Sequence, residues 1–315
     1  MRIPFLCVLA LWLTLVPACA ASPKAAAFPS PTGFATVEAT AARFPLTVTD
    51  DAARSVVVSR LPERIVSLSA SNTEILYALG LGDRVVGVDD YSNYPASVKD
   101  KPRVGGFSNP DLEKIVVLSP DLVVGTGMHV KTVLAELERR KLTVLIVDPR
   151  DVSSVMDKIT LVGTATGQGA SVSLAGDMRK RIEAVETRLK GVEPVRVFFE
   201  LDPQLHTVGP GSFVDDMIRT AGGVNIAADA GREWPQLSQE ALLMKDPQVI
   251  VLSDHGSAGG QSPESVAARP GWQQLSAVKS KRIHALEPDL INRAGPRVVD
   301  GLELLAGTFH PDKMK

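Results

Sequence analysis

The sequence has few cysteines and no large excess of charge. Only two of its 315 residues are cysteines, Cys7 and Cys19, and both lie in the N-terminal segment. The rest of the chain therefore has neither a disulfide nor a thiolate metal site. The formal net charge is −2, which argues against nucleic acid or an anionic membrane as the main partner.

Enzyme signatures are also missing. The sequence has no G-x-S-x-G elbow, no P-loop, no G-x-G-x-x-G after a predicted strand and no H-E-x-x-H motif. The five histidines lack the mutual spacing of metal ligands, and we expect each to be solvated or hydrogen-bonded. We therefore predict no catalytic residues, no metal site and no cofactor.

The long hydrophobic run lies at the N-terminus. A single arginine precedes the apolar residues 3–16, and small residues follow. This pattern predicts a secretory signal peptide over residues 1–20, because the run is too short to span a bilayer. Signal peptidase would cut after Ala20, or Cys19 would carry a lipid. Both routes place the mature protein outside the cytoplasm, with an Ala/Pro-rich linker over residues 21–43.

A long amphipathic helix is predicted in the middle of the chain. Apolar residues recur at helical spacing between residues 166 and 191, and charged residues fill the other positions. At about 1.5 Å per residue, this helix would run roughly 35 Å and could connect two bodies. An ordinary surface helix would show the same periodicity.

The segments on the two sides of this helix resemble each other. Residues 71–82 and 213–223 each lead from a polar start into an apolar helix that stops at glycines. Residues 112–124 and 241–252 each combine a short helix, a proline and an apolar strand. Strands that alternate with helices predict parallel sheets, so the fold class is α/β. The predicted parts are an N-terminal α/β lobe (44–165), a connecting helix (166–191) and a C-terminal α/β lobe (192–311).

Aromatic residues make up only 5% of the chain, yet several fall in predicted loops. Ligands of α/β sheets bind beyond the carboxyl ends of the strands, where these loops lie. Loop aromatics either cover a core or face a ligand, and their presence in both halves favours a cleft. The residues concerned are Tyr91, Tyr94, Phe107, Trp234 and Trp272.

A carboxylate and a guanidinium follow the last predicted strand four residues apart. They belong to Asp289 and Arg293. They would either hydrogen-bond the polar groups of a ligand in the cleft or form a local ion pair.

Six segments of the sequence resemble the substrate-binding proteins of ABC importers for vitamin B12, heme and iron-siderophores. The resemblance implies two Rossmann-like lobes joined by one rigid helix, with a ligand cleft between them. The stretches WPQLSQE and DLINRAGPR are most similar to the vitamin B12 branch. The six segments are 63–80, 84–95, 103–124, 209–226, 234–243 and 287–297.

The resemblance assigns ligand contacts residue by residue. Tyr91, Phe107, Trp234, Asp289 and Arg293 would contact the corrin ring system. Phe107 stands where that branch carries a tryptophan, so its stacking area is smaller.

The resemblance also implies one surface carboxylate per lobe that docks on the membrane permease. Glu74 matches the first, and the internal repeat pairs it with Asp216, with neighbouring Asp215 as the alternative. A purely local reading is open as well, because Ser71 and Glu74 have the spacing of a capping box.

The implied function is capture of vitamin B12 or a related corrinoid outside the cytoplasm and its delivery to the permease dimer and ATPase subunits of an ABC importer. Heme or a ferric siderophore is the alternative ligand. A hydrolase would instead need two carboxylates that converge on one pocket.

Overall fold

The computed structural model describes residues 43–253 and 261–315. The predicted signal peptide, Cys19 and nearly all of the linker lie outside these residues, as does most of the glycine-rich loop after residue 253. The described residues belong to one compact unit. Within them, no helix is long and apolar enough to cross a membrane.

The first lobe is built around a four-stranded parallel sheet with an antiparallel hairpin beside it. Its strands are β1 (Leu46–Thr49), β2 (Ser55–Val58), β3 (Ile65–Ser67), β4 (Val85–Val88), β5 (Leu122–Gly125) and β6 (Val144–Ile146), and its helices are α1 (Ala70–Ala78), α2 (Leu112–Val117), α3 (Gly127–Thr132), α4 (Leu134–Arg139) and α5 (Val152–Thr166).

The second lobe follows a long helix and has its own four-stranded parallel sheet. Its strands are β7 (Val195–Glu200), β8 (Gly223–Asn225), β9 (Val249–Leu252) and β10 (Ile283–Ala285), and the helices from the connection onward are α6 (Ala170–Leu189), α7 (Phe213–Thr220), α8 (Gln239–Lys245), α9 (Pro263–Ala267), α10 (Ser276–Lys279), α11 (Pro288–Ile291) and α12 (Val298–Phe309).

The two sheets have the same topology. The strand order is β4-β3-β5-β6 in the first lobe and β8-β7-β9-β10 in the second. In each lobe the first strand therefore lies between the second and the third, and every pairing is parallel. The repeat seen in the sequence is a repeat of this topology, and the α/β prediction is confirmed.

The central strands of each sheet are short and almost fully buried because helices cover both faces of the sheet, whereas the edge strands β8 and β10 are partly exposed. Apolar runs without alternation, such as the buried β5 and β9, are what this environment requires. One apolar cluster extends from the first sheet through α5, α6 and α12 to the second sheet. Each lobe also has a smaller cluster of its own on the other face of its sheet. The apolar cluster that both lobes share packs them against each other.

The predicted connecting helix corresponds to α6. Its buried residues include Met178, Ile182, Val185 and Leu189, as the periodicity predicts. It starts at Ala170, later than expected, because Gly167 ends α5 in the left-handed conformation with φ of 71°. At about 1.5 Å per residue it spans roughly 30 Å and packs against α5 and α12.

The described elements that the sequence did not predict are strand β8 and the short helices α3, α9, α10 and α11. Strand β8 is only three residues long and starts at Gly223, so neither length nor composition marks it. Helix α3 begins directly after β5, where Thr126 and His129 form its capping box. Histidine at this position is not part of the usual Ser/Thr-x-x-Glu/Gln signature.

Candidate functional site

Side chains from both lobes form a hydrogen-bonded cluster around Arg293. Arg293 follows α11 in the second lobe, and its Nη2 forms a salt bridge with Asp289 at 2.8 Å. It also crosses to the first lobe, where Nη1 donates to Oδ1 of Asn93 at 2.7 Å and Nη2 donates to the carbonyl of Tyr91 at 3.2 Å. Asn93 in turn donates to Asp289 at 2.9 Å. The structure thus brings Tyr91, Asp289 and Arg293 together.

Glu74 is the buried centre of the same cluster. Its side chain is only 2% exposed and accepts from Arg293 Nη1 at 3.0 Å. Arg297 adds two bonds, from Nε to Oε2 at 2.8 Å and from Nη2 to Oε1 at 2.7 Å. Burial alone would lower the pKa of Arg297, but the hydrogen bond and charge of Glu74 outweigh it, and the pKa is raised. This ion pair joins α1 of the first lobe to the start of α12 in the second.

The formal charges of this cluster balance. Two guanidinium groups, from Arg293 and Arg297, face two carboxylates, from Glu74 and Asp289. The ring of Tyr94 adds a neutral contact, because the Arg297 guanidinium lies 4.1 Å from its centroid. The cluster therefore offers donors and acceptors together without a net charge.

The prediction that Glu74 lies on an open surface is wrong, because two arginines of the other lobe enclose it. The capping-box interpretation is also wrong. The residue that caps α1 is Ser69, whose hydroxyl accepts from the Asn72 amide, so Glu74 lies beyond the first turn.

Asp216 also contacts the other lobe. Its Oδ2 accepts from the backbone amide of Val152, the first residue of α5, at 2.9 Å, and Arg219 donates to Oδ1 at 2.8 Å. Helices α1 and α7 each follow the first strand of their sheets, so Glu74 and Asp216 occupy equivalent places. Asp215 is buried and accepts from Asn225 at 2.7 Å. Glu74 and Asp216, which the internal repeat places at equivalent positions, thus each make a contact with the opposite lobe.

Trp234 is the large aromatic that the second lobe exposes. Its side chain is 57% exposed, although the backbone around it is fixed. The Gly209 amide donates to the carbonyl of Glu233 at 2.7 Å, and the Thr207 amide donates to that of Pro235 at 2.9 Å. The loop therefore has a fixed backbone and presents the ring to solvent, as a stacking surface requires. Tyr91, at 65% exposure, is a corresponding aromatic of the first lobe.

Phe107 and Trp272 differ from these exposed rings. Phe107 is half-buried and packs edge-on against His129, with 5.3 Å between the ring centroids. Burial lowers the pKa of His129, and its Nδ1 accepts from the Thr126 amide at 2.9 Å. Trp272 is buried in the core of the second lobe against Phe198. The loop aromatics therefore include both ligand-facing candidates and core residues.

Buried polar groups at the carboxyl ends of the second sheet were not predicted from the sequence. Glu200 ends β7 and pairs with both terminal nitrogens of Arg269, at 2.7 and 2.6 Å. Asn292 donates to the hydroxyl of Ser253, which follows β9, at 2.7 Å. The strand ends were the available signal, since parallel strands direct their last residues toward the ligand edge.

Two exposed acidic residues, one on each lobe, were not identified from the sequence either. Glu113 lies in the first turn of α2 and Glu240 in the first turn of α8. The two helices are the repeated segments found in the sequence, each followed by the third strand of its sheet. The repeat of α2 and α8 was the signal that could have identified this pair.

Two surface recesses of the described part lie away from the cluster. One, of about 350 Å³, is lined by residues around Arg282 and His310, and another, of about 320 Å³, lies beside α2. Neither contains a predicted ligand residue. The hydrogen-bonded cluster is the candidate site because its side chains come from both lobes. The described residues contain no group of three or more metal-ligating side chains.

Comparisons with known proteins agree with this architecture. The family described as periplasmic binding protein matches residues 65–290. An uncharacterized ABC transporter substrate-binding lipoprotein of Bacillus subtilis is 36% identical over 282 residues, which cover 86% of this chain and 88% of that protein.

Two solved structures are similar in sequence and fold. The periplasmic vitamin B12-binding protein of Vibrio cholerae is 31% identical with a TM-score of 0.69, over 80% of this chain and 98% of that one. The apo heme-binding protein of Roseiflexus sp. RS-1 is 32% identical with a TM-score of 0.71, over 80% and 99%. The chain therefore belongs to the periplasmic binding protein family, as a two-lobe substrate-binding protein of ABC importers and not an enzyme.

Proposed function

We propose that the protein binds vitamin B12 or a related corrinoid between its lobes and delivers it to an ABC importer. The observation that carries the proposal is the charge balance of the Glu74, Asp289, Arg293 and Arg297 cluster. A corrin carries peripheral amide side chains, which are neutral and both donate and accept hydrogen bonds. A site with paired donors and acceptors and no net charge suits such a ligand.

The same balance disfavours ligands with several carboxylates. Heme carries two propionates, which are anionic at neutral pH and would need uncompensated arginines. Here both arginines already have carboxylate partners at 2.7 to 3.0 Å. Binding a propionate would require breaking one of these pairs, which costs several kcal/mol for partly buried charges.

Heme or a ferric siderophore remains the second candidate. The Roseiflexus heme-binding protein is as similar to this chain as the Vibrio vitamin B12-binding protein. Similarity therefore supports both ligand classes equally, and the proposal for a corrinoid rests on the charges of the cluster.

The deciding experiment is a set of spectral titrations with cyanocobalamin, hemin and a ferric siderophore. We expect cyanocobalamin to bind with the lowest Kd. Glu74→Gln leaves a positive charge uncompensated and should shift the ratio of affinities toward hemin by roughly tenfold. Glu186→Gln, on the exposed side of α6, is the matched control and should leave the ratio unchanged. Tighter binding of hemin by the unaltered protein would reject the corrinoid proposal.

The contribution of Trp234 to corrinoid affinity gives a second test of the proposed ligand cleft. Trp234→Ala should weaken corrinoid binding by about 1 to 3 kcal/mol through lost apolar contact. Because the ring is mostly exposed without ligand, the melting temperature of the apo protein should barely change. Unfolding of the apo variant would instead mean that the ring supports the fold.

Delivery requires a contact with the permease, and we infer that Glu113 and Glu240 make it. Both are exposed, both lie in the first turn of equivalent helices, and the lobes contribute one each. The neighbour of Glu113 is Arg140, whose Nη2 lies 3.0 Å from the carboxylate on the surface. Such an exposed pair contributes about 0 to 1 kcal/mol and can exchange for a partner's arginine.

Charge reversal tests this contact. Glu113→Lys with Glu240→Lys should abolish uptake in cells and leave ligand affinity and melting temperature unchanged. Glu186→Lys with Glu193→Lys makes the same change of net charge at exposed positions elsewhere and should leave uptake intact. Normal uptake by the first pair would exclude the docking role.

We further propose that the mature protein works outside the cytoplasm, either released after residue 20 or anchored through a lipid on Cys19. The mass of the purified protein separates the two routes. A lipid-modified Cys19 should partition into the membrane fraction, and Cys19→Ser should release it.

A further inference from the structure

Two apolar side chains of the described part are almost fully exposed. Val117 is 80% exposed and Met244 is 82% exposed, the highest values among its large apolar residues. Single exposed apolar residues are common and need no explanation. Val117 and Met244 differ from such single residues because they lie at equivalent positions of the two lobes.

Val117 and Met244 occupy equivalent positions in the two lobes. Val117 lies in α2 and Met244 in α8, and each helix leads into the third strand of its sheet. Each helix is capped by a side chain, from Asp111 or Ser238. Each is followed by a left-handed residue, Ser119 with φ of 46° and Asp246 with φ of 39°. The two exposed apolar groups are therefore copies of one local structure.

Each apolar group lies one helical turn from an exposed acid. Glu113 precedes Val117 by four residues, and Glu240 precedes Met244 by four, so each pair shares a helix face. Between them, Ile115 and Leu242 point into their lobes and are fully buried. Ile115 and Leu242 thus make the core contacts of their helices. The exposed side chains of Val117 and Met244 are not needed for the core. Val117 also borders the apolar recess of about 320 Å³ beside α2.

We propose that Val117 and Met244 are paired apolar anchors that insert into two equivalent apolar recesses of the permease dimer, each recess flanked by a basic group that meets Glu113 or Glu240. The proposal rests on the importer function inferred above and adds the apolar part of the contact. A chain with two copies of one patch fits a partner with two copies of the complement, which a homodimer provides by symmetry.

The flanking charges favour this partner over two others. A second copy of this chain would bring Glu113 or Glu240 against the same acids, and like charges oppose that contact. An anionic lipid surface has no basic group to replace Arg140 as the partner of Glu113. A basic and apolar protein surface satisfies both the acid and the apolar side chain of each patch.

Site-specific photocross-linking in cells tests the proposal. Benzoylphenylalanine is placed at position 117, at position 244, or at position 172, where Val172 is 67% exposed on the unrelated helix α6. We expect positions 117 and 244 to cross-link to the same multi-spanning permease polypeptide, identified by mass spectrometry, and position 172 not to. Cross-links to a second copy of this chain or to lipid, or from one position only, would overturn the proposal.

The contribution of each anchor to docking is measured as the affinity of the protein for the purified importer. Val117→Ser and Met244→Ser should each weaken binding to the purified importer by about tenfold, and together by about a hundredfold, because the sites are independent. Val172→Ser should change nothing, and no variant should alter ligand affinity or melting temperature. If the lysine variants of Glu113 and Glu240 block docking but the serine variants do not, the anchors are wrong and the docking proposal stands. If the protein binds no corrinoid, only the proposed ligand is rejected.

Discussion

At the scale of single residues, Glu74 shows how a carboxylate can suggest a partner protein and yet serve the fold. Both oxygens of its side chain are occupied by arginines of the other lobe. Removing the carboxylate would leave Arg293 and Arg297, which are mostly buried, without their shared counter-ion. An uncompensated buried charge is among the costliest changes in a protein.

We expect Glu74→Ala to lower the free energy of unfolding by about 3 kcal/mol in urea titrations. Glu186→Ala, on an exposed position of α6, should change it by less than about 0.5 kcal/mol. Unchanged stability of Glu74→Ala would mean that the two arginines find other partners.

His129 gives the fold a pH dependence with a definite sign. Burial lowers its pKa below the ordinary value of 6.5. Below pH 6.5 the unfolded chain therefore binds a proton that the folded protein does not, and the free energy of unfolding falls as the pH falls. The slope is about 1.4 kcal/mol per pH unit until the folded-state pKa is reached.

His129→Gln should remove this slope without removing the helix cap. Glutamine at this position can accept from the Thr126 amide, as in a common capping box. The difference in unfolding free energy between the two proteins should thus change with pH only below about 6.5. His284, whose pKa burial also lowers, is present in both and cancels. A difference that is constant with pH would contradict the assignment.

At the scale of elements, the contact between α5 and α6 depends on one glycine. An ideal Cβ at Gly163 would lie 2.1 Å from Ser171 Oγ and 2.2 Å from its Cβ, whereas a Cβ at Gly176 would meet nothing within 4 Å. Both glycines are helical, so the two positions differ in packing and not in backbone conformation.

Gly163→Ala should therefore lower the free energy of unfolding by about 1 to 3 kcal/mol, because α5 and α6 must separate. Gly176→Ala should raise it by about 0.5 to 1 kcal/mol through helix propensity alone. Chemical denaturation of both variants gives the comparison, and a stabilising effect at position 163 would be incompatible with the close approach of the helices.

At the scale of the whole molecule, periodicity predicted the architecture because the two lobes are local repeats of strand and helix. Burial requires the apolar runs of β3, β5, β7 and β9 and the apolar face of α6. Sequence patterns indicate such burial directly. The three-residue strand β8 was missed because a short edge strand is defined by its neighbours and not by its own composition.

Local sequence patterns could not predict which residues of the two lobes contact each other. Glu74 and Arg297 are 223 residues apart in the chain, and nothing local to either indicates the other. The resemblance and the sequence spacing grouped Asp289 with Arg293, which is correct as an ion pair. They could not indicate that Glu74 neutralises the same arginine, so an exposed role was assigned to a buried group.

The contacts between lobes lead to a prediction about motion. Glu74 holds Arg297 at the start of α12, and Asp216 holds the amide of Val152 at the start of α5. With the shared apolar cluster and the single connecting helix α6, these contacts should keep the lobes close to one arrangement. Closure on ligand should be small, unlike that of proteins with a flexible hinge.

X-ray scattering profiles of the unaltered protein with and without saturating ligand should therefore nearly superimpose. Glu74→Ala with Asp216→Ala removes both side-chain contacts, and its apo radius of gyration should increase, with compaction when ligand binds. Glu113→Ala with Glu240→Ala, which also removes one acid per lobe but at exposed positions, should behave like the unaltered protein. A large compaction of the unaltered protein would show that the lobes open despite these contacts, because neither the ion pair nor the helix would then limit their separation.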